Sequence, residues 1–245
     1  MAKLFVVSDI HSFYTPLKEA LDENGFDPKN EEHWLIVCGD VFDRGDESEE
    51  VLNFLMSLER KILVKGNHDI LLKDCCDWGF PHSHDFHNGT AKTIYDLGGA
   101  GEGNSFDECC IITWNRLKEY RKLLVNYFET QNYIFVHSWI PTLSQDEYDD
   151  NWRNASDMRW EDAMWVNPFD MHFLLDLNRT GKTIVFGHWH CSAGHKMLGR
   201  CEEEFGHAIW EPCYAEGIIG IDRCTAHTGK VNVIVLEDEF LDGKS

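Results

Sequence analysis

The stretch Val37-Cys-Gly-Asp-Val-Phe-Asp-Arg-Gly45 decides how this sequence is read. An apolar run ends abruptly in two aspartates and an arginine, Asp40, Asp43 and Arg44. Ionised groups at the end of a buried strand need a compensating partner, because isolated buried charge is costly. Backbone donors of a strand-to-helix turn would serve, and a metal ion would serve more strongly. The segments on either side decide between them.

Working outward, KLFVVSD (3–9), HWLIVCGD (33–40) and KILVKGN (61–67) read as buried strands. Between them, TPLKEALDEN (15–24) reads as a helix with Thr15 as N-cap and Pro16 in its first turn. DESEEVLNFLMSLER (46–60) has apolar residues at helical spacing and acids in its first turn. Strand, helix, strand repeated in this way predicts βαβ units and a parallel sheet. Residues 78–113 break the rhythm and read as an irregular excursion near the sheet rim. TWNRLKEYRKLLVNYFET (113–130) reads as a helix capped by Thr113, followed by strands at NYIFVHS (132–138) and KTIVFGH (182–188), separated by an irregular loop at about 140–170. GIIGIDRCTAHTGKVNVIVLED (217–238) reads as two strands joined by a turn near Thr228–Gly229. The expectation is one domain over residues 1–245.

A chain of 245 residues can bury a substantial core. With 22 basic against 43 acidic residues, it is a poor match for a nucleic-acid backbone or an anionic membrane. No run of about 20 apolar residues is present, and the amino-terminal stretch lacks the pattern of a secretory signal. Nine cysteines cannot all pair within one chain, and none forms a paired CxxC arrangement. Reduced thiols and a cytoplasmic protein are expected, without structural zinc.

Five apolar strands end in metal-capable residues. The first delivers Asp9 and His11, the second Asp40 with Asp43 beyond, and the third Asn67, His68 and Asp69. The fourth ends at His137 and the fifth at His188. Ligands of α/β sheets gather outside the carboxyl ends of the strands, so these tips are expected to converge. Asp, His and Asn donors suit borderline or hard divalent ions: manganese first, with iron or zinc as alternatives. Asp40 can offer one oxygen to each of two cations, and such a pair can clamp an in-line displacement at phosphorus.

SDIHS, GDVFDRG, GNHD, VHSWI and FGHWH resemble the successive motifs of the phosphoprotein phosphatase family of metallophosphoesterases. The likeness is greatest to short bacterial and phage serine/threonine phosphatases and to symmetrical dinucleoside tetraphosphatases. The resemblance implies a four-layer sandwich, two mixed β-sheets flanked by helices. It assigns one metal to Asp9, His11 and Asp40, and the other to Asp40, Asn67, His137 and His188. His68 becomes the general acid held by Asp43, and Arg44 the fork that binds substrate phosphate. The implied reaction is hydrolysis of a phosphomonoester, on a phosphoprotein or a small phosphoester, by direct attack of a metal-bridging hydroxide. Hydrolysis of symmetrical dinucleoside tetraphosphates is the alternative within the class, and a non-catalytic metal-binding or docking protein the alternative outside it.

Several positions depart from the family pattern. Ser8 and Ser12 replace glycines, Asp69 stands for a glutamate, and Ser138–Trp139 make the fourth motif bulkier. A second phosphate-gripping arginine is expected after a tryptophan, where Asn167 stands. Arg159 and Arg153 are the remaining candidates for it. His82, His84 and His87 read as surface or rim residues, and the acidic run 144–151 as a solvated loop. His190 and His195 are candidates for the mouth, and Trp139, Trp152, Trp160 and Trp165 for either core or pocket wall.

Overall fold

The computed structural model describes residues 2–99, 101, 103–202, 205 and 207–241. The first sheet holds β1 (Ala2–Val7), β2 (His33–Cys38), β3 (Lys61–Val64), β4 (Leu124–Val125) and β10 (Ile234–Asp238). Its order is β10-β1-β2-β3-β4, parallel except for the antiparallel β1–β10 pair. The second sheet holds β5 (Phe128–Glu129), β6 (Tyr133–Phe135), β7 (Thr183–Phe186), β8 (Cys213–Ala215) and β9 (Ile218–Gly220). Its order is β5-β6-β7-β9-β8, with β6, β7 and β9 parallel and an antiparallel strand at each edge. Both sheets are therefore mixed.

Strand alternation explains the layers. Along β1, Leu4 and Val6 face the second sheet, where they meet Phe135, Val185 and Ile219. Phe5 and Val7 point the other way, onto Leu17 and Leu21 of α1 (Tyr14–Glu23) and Val51 and Leu55 of α2 (Ser48–Ser57). Strands covered on both faces read as unbroken apolar runs, as these do. The outer face of the second sheet is covered by Trp139, Trp152, Trp160 and Phe169. The order helix, sheet, sheet, helix is the expected four-layer sandwich.

Four expectations need correction, the last of them the capping of α1. The stretch 78–113, read as irregular, is mostly helical. After α3 (Asn67–Trp78) come α4 (Ser83–Asn88), α5 (Thr90–Gly98) and α6 (Phe106–Arg116), then α7 (Lys118–Leu123). Gly79, Gly89 and Gly99 stop these short helices in the left-handed conformation, so glycines that suggested a loop are helix ends. The helix expected over 113–130 starts after Ser105, breaks between α6 and α7, and gives way at Leu124 to the strands β4 and β5, which pair into the two sheets. Glu108 Oε2 accepts from Ser105 N at 2.9 Å, and Thr113 lies inside the helix with its hydroxyl on Ile94 O. The terminal strands do not form a hairpin: β9 and β10 lie in different sheets, with α11 (Thr225–Thr228) between them.

The loop at 140–170 is irregular except for a 3-10 turn at Trp152–Asn154, α8 (Asp157–Ala163) and the start of α9 (Pro168–Phe173). α10 (Cys191–Met197) follows β7. Thr15 lies within α1 rather than capping it; its backbone N–H donates to Glu47 Oε2. All nine cysteines are free thiols. No helix among the described residues is long and apolar enough to cross a membrane.

Candidate active site

The loops after β1, β2, β3 and β7 bring Asp9, His11, Asp40, Arg44, Asn67, His68 and His188 to one cavity of about 270 Å³. His137, after β6, stands behind it, with Nε2 2.7 Å from Asn67 Oδ1 and 3.2 Å from His188 Nδ1. These turns are tight. Asp9, His11, Asp40, Asp43, Arg44 and His188 all have positive φ, a costly conformation for residues with a Cβ. Gly187 is needed for a different reason: a Cβ there would come within 2.1 Å of Asp9 Oδ2.

The donor set fits divalent cations. His11 Nδ1 donates to Phe42 O and His137 Nδ1 to Cys38 O, each at 3.0 Å. Each ring thereby turns its Nε2 lone pair inward, the arrangement usual for metal-binding imidazoles. Burial pushes the His11 imidazolium down to about 3. Burial, then His137, pushes His188 down to about 4, so both rings are neutral donors near pH 7. Burial and the neighbouring Asp40 raise Asp9 to about 7, as expected of two crowded, buried carboxylates.

Asp40 faces two ways. Its Oδ2 lies 3.8 Å from His11 Nε2 and its Oδ1 3.4 Å from His137 Nε2. Two clusters result whose donor atoms lie within 4.8 Å of one another: His11, Asp40 and His68, and Asp40, His137 and His188. The first differs from expectation in holding His68; Asp9 Oδ1 is 4.0 Å from His11 Nε2. His68 Nδ1 donates to Asp43 Oδ2 at 2.7 Å, leaving Nε2 toward the cavity. Burial alone would lower the His68 imidazolium, but Asp40 and the Asp43 hydrogen bond outweigh it and raise it to about 9. A bound cation beside Asp40 would oppose that rise.

Arg44 is exposed at the cavity and has no hydrogen bond or ion pair among the described residues. Neither candidate second arginine lines the cavity. Arg153 is spent on both oxygens of Glu129, at 2.9 and 2.7 Å. Arg159 binds Asp149 and Thr142 O, beside a separate groove. Asn167 lines that groove too, its side chain capping α9. His190 and the half-exposed Trp165 line the cavity, whereas Trp139, Trp152 and Trp160 are core. His195 is buried, its Nε2 donating to Glu211 O. His82, His84 and His87 lie on or beside α4 and form no such donor cluster.

Sequence reasoning missed Asp222, which lines the cavity after β9. The rule used for the other five strands, an apolar run ending in a metal-capable residue, would have found it. It also missed Thr90 and Thr93, which bind Asp43; nothing local to α5 marks them.

Residues 2–192 match the family model described as calcineurin-like phosphoesterase. The chain belongs to that family. A symmetrical bis(5'-nucleosyl)-tetraphosphatase of Pseudomonas fluorescens (strain SBW25) is 44% identical over 145 residues, 56% of this chain and 43% of that protein. One from Thioalkalivibrio sulfidiphilus (strain HL-EbGR7) is 41% identical over 70 residues, 28% of this chain and 25% of that protein. In both cases this chain spans less than half of the relative. A crystal structure of a cold-active protein tyrosine phosphatase superposes with a TM-score of 0.57 at 15% identity, covering 97% of this chain and 74% of that one. Another, from a psychrophilic Shewanella, gives 0.53 at 16% identity over 97% and 76%. At that identity the likeness shows the shared fold.

Proposed function

We propose that this chain is a two-metal phosphoric ester hydrolase acting on phosphomonoesters, as a serine/threonine phosphoprotein phosphatase or on a small phosphoester. The observation that carries this reading is the pair of oxygens of Asp40 turned to two separate donor sets, beside the His68–Asp43 pair. Asp9, His11 and Asp40 would hold one cation, and Asp40, Asn67, His137 and His188 the other. Manganese suits these donors, with iron or zinc as alternatives. Bound cations would supply Lewis-acid stabilisation of the phosphoryl oxygens and a nucleophile at neutral pH.

The chain's own residues do the rest. Asp43 holds the His68 ring so that Nε2 carries the proton toward the leaving oxygen. That matters because an alkoxide is a poor leaving group and departs as the alcohol. Arg44, free of protein partners among the described residues, offers its planar fork to phosphate oxygens. A cavity of about 270 Å³ admits a phosphoryl group with its nearest substituent.

The names of the tetraphosphatase relatives favour a second reading, cleavage of symmetrical dinucleoside tetraphosphates. Charge weighs against it: among the described residues Arg44 is the single lysine or arginine lining the cavity, where Asp9, Asp40 and Asp222 also stand. A polyphosphate would meet little additional compensation. A silent binding protein has less support, since a decayed site would not be expected to keep the His68–Asp43 pair.

The test is a manganese-reconstituted assay on a phosphoserine peptide, p-nitrophenyl phosphate and diadenosine tetraphosphate, with His68→Asn as control. Peptide turnover abolished by His68→Asn is the expected result. Preference for the dinucleotide would transfer the assignment to the second reading. Silence on all three with two cations bound would overturn catalysis altogether.

A further inference from the structure

Asp43 is completely buried and is held by more than His68. Its Oδ2 accepts from Thr90 Oγ1 at 2.6 Å as well as from His68 Nδ1 at 2.7 Å. Its Oδ1 accepts from Thr93 Oγ1 at 2.9 Å, and its backbone N–H donates to that same hydroxyl at 3.0 Å. The Thr93 hydroxyl thus donates once and accepts once, both times with Asp43. Neither threonine side chain is open to solvent.

Both threonines lie on α5, three residues apart and therefore on one face of the helix. Threonine is a mediocre helix former, and inside helices its hydroxyl commonly turns back on the preceding turn. Here both hydroxyls leave the helix for a carboxylate some fifty positions earlier in the chain. α5 also starts hard against that segment. A Cβ on Gly89, whose φ is +86°, would lie 2.2 Å from Arg44 N. The helix start is thus seated on Asp43–Arg44, where both residues have left-handed backbones.

We infer that Thr90 and Thr93 are positioning residues: they fix the plane of the Asp43 carboxylate and, through it, the direction of His68 Nε2. One hydroxyl on each oxygen stops the carboxylate rotating about its Cβ–Cγ bond. With either lost, the Asp43 plane can turn, and the His68 ring turns with it. Neither threonine lines the cavity, so substrate binding is not their task. The inference rests on the proposed role of His68 as acid.

Leaving-group dependence provides the test. A misdirected acid matters most where the departing oxygen most needs a proton. The Thr90→Val/Thr93→Val double variant, loaded with manganese, is compared with the unchanged chain on p-nitrophenyl phosphate and on an alkyl phosphate such as phosphoserine. The expected result is a kcat loss of roughly 10–100-fold on the alkyl phosphate and under about fivefold on p-nitrophenyl phosphate. KM and bound metal stay unchanged. Thr90→Ser/Thr93→Ser, which keeps both hydroxyls, recovers most of the lost turnover. Should the double valine variant not fold, Thr90→Ala alone is run through the same series. Equal losses on both substrates, or no loss in a folded, metal-loaded variant, would overturn the inference. His68→Asn separates the two claims: if it shows no greater loss on the alkyl phosphate, the acid assignment itself has failed.

Discussion

Asp40 lies between two donor sets and Asp43 is shared by three side chains; single substitutions there should separate metal binding from proton delivery. Asp43→Asn removes one acceptor oxygen without touching a proposed ligand. It should lower kcat on alkyl phosphates by about 10²–10⁴-fold with two cations still bound. His137→Ala removes a donor of the second set only. Metal analysis of the purified variant should then find close to one cation per chain. Two cations with full activity would contradict the ligand set. Arg44, Asn67 and His68 were legible as residues because each stands among polar residues within a few positions of the end of an apolar run. Asp222 was legible too, and was passed over because the terminal strands were read as a hairpin.

Elements that carry no proposed ligand hold the second sheet in place. Glu129 on β5 is buried and accepts from Arg153, in the 3-10 turn, and from Lys182, just before β7. Arg153 first, and Lys182 with it, pull the Glu129 carboxyl down from 4.5 to about 2 against the opposing effect of burial. A depressed carboxyl stabilises the fold above its unfolded value and loses that contribution as pH falls. Glu129 should therefore contribute fully above about pH 4.5 and little below about pH 2. With Arg153 40% exposed, the contribution is about 1–2 kcal/mol. Thermal melts of Glu129→Gln should fall below those of the parent at pH 7 and converge with them near pH 2. A constant gap would show that the loss comes from packing. α5 teaches the same lesson at this scale: it was misread as loop because its bounding glycines are helix caps, yet it supplies both hydroxyls on Asp43.

Across the whole molecule, the proposed metal pair joins two sheets. Asp9, His11, Asp40 and Asn67 follow strands of the first, and His137 and His188 follow strands of the second. Bound cations would then stabilise the folded chain over the unfolded one. At a free concentration of 100 times the dissociation constant, each site adds about 2.7 kcal/mol. For a chain of this size the loss of both predicts a Tm about 10–20 °C lower after chelation, restored by manganese. An unchanged Tm with proven metal loss would mean that the packing between the sheets alone joins the layers.

The sequence by itself determined the parallel βα units, the strand tips and their metal-capable residues. Those features are local: the alternation of apolar faces and the break from apolar to charged occur within a few positions of each other. Only the tertiary structure decided which threonines hold Asp43, that Arg153 and Arg159 are occupied elsewhere, and that β9 and β10 belong to different sheets. Each of those depends on contacts between distant segments. No periodicity along the chain records which hydroxyl meets which carboxylate once the layers have packed.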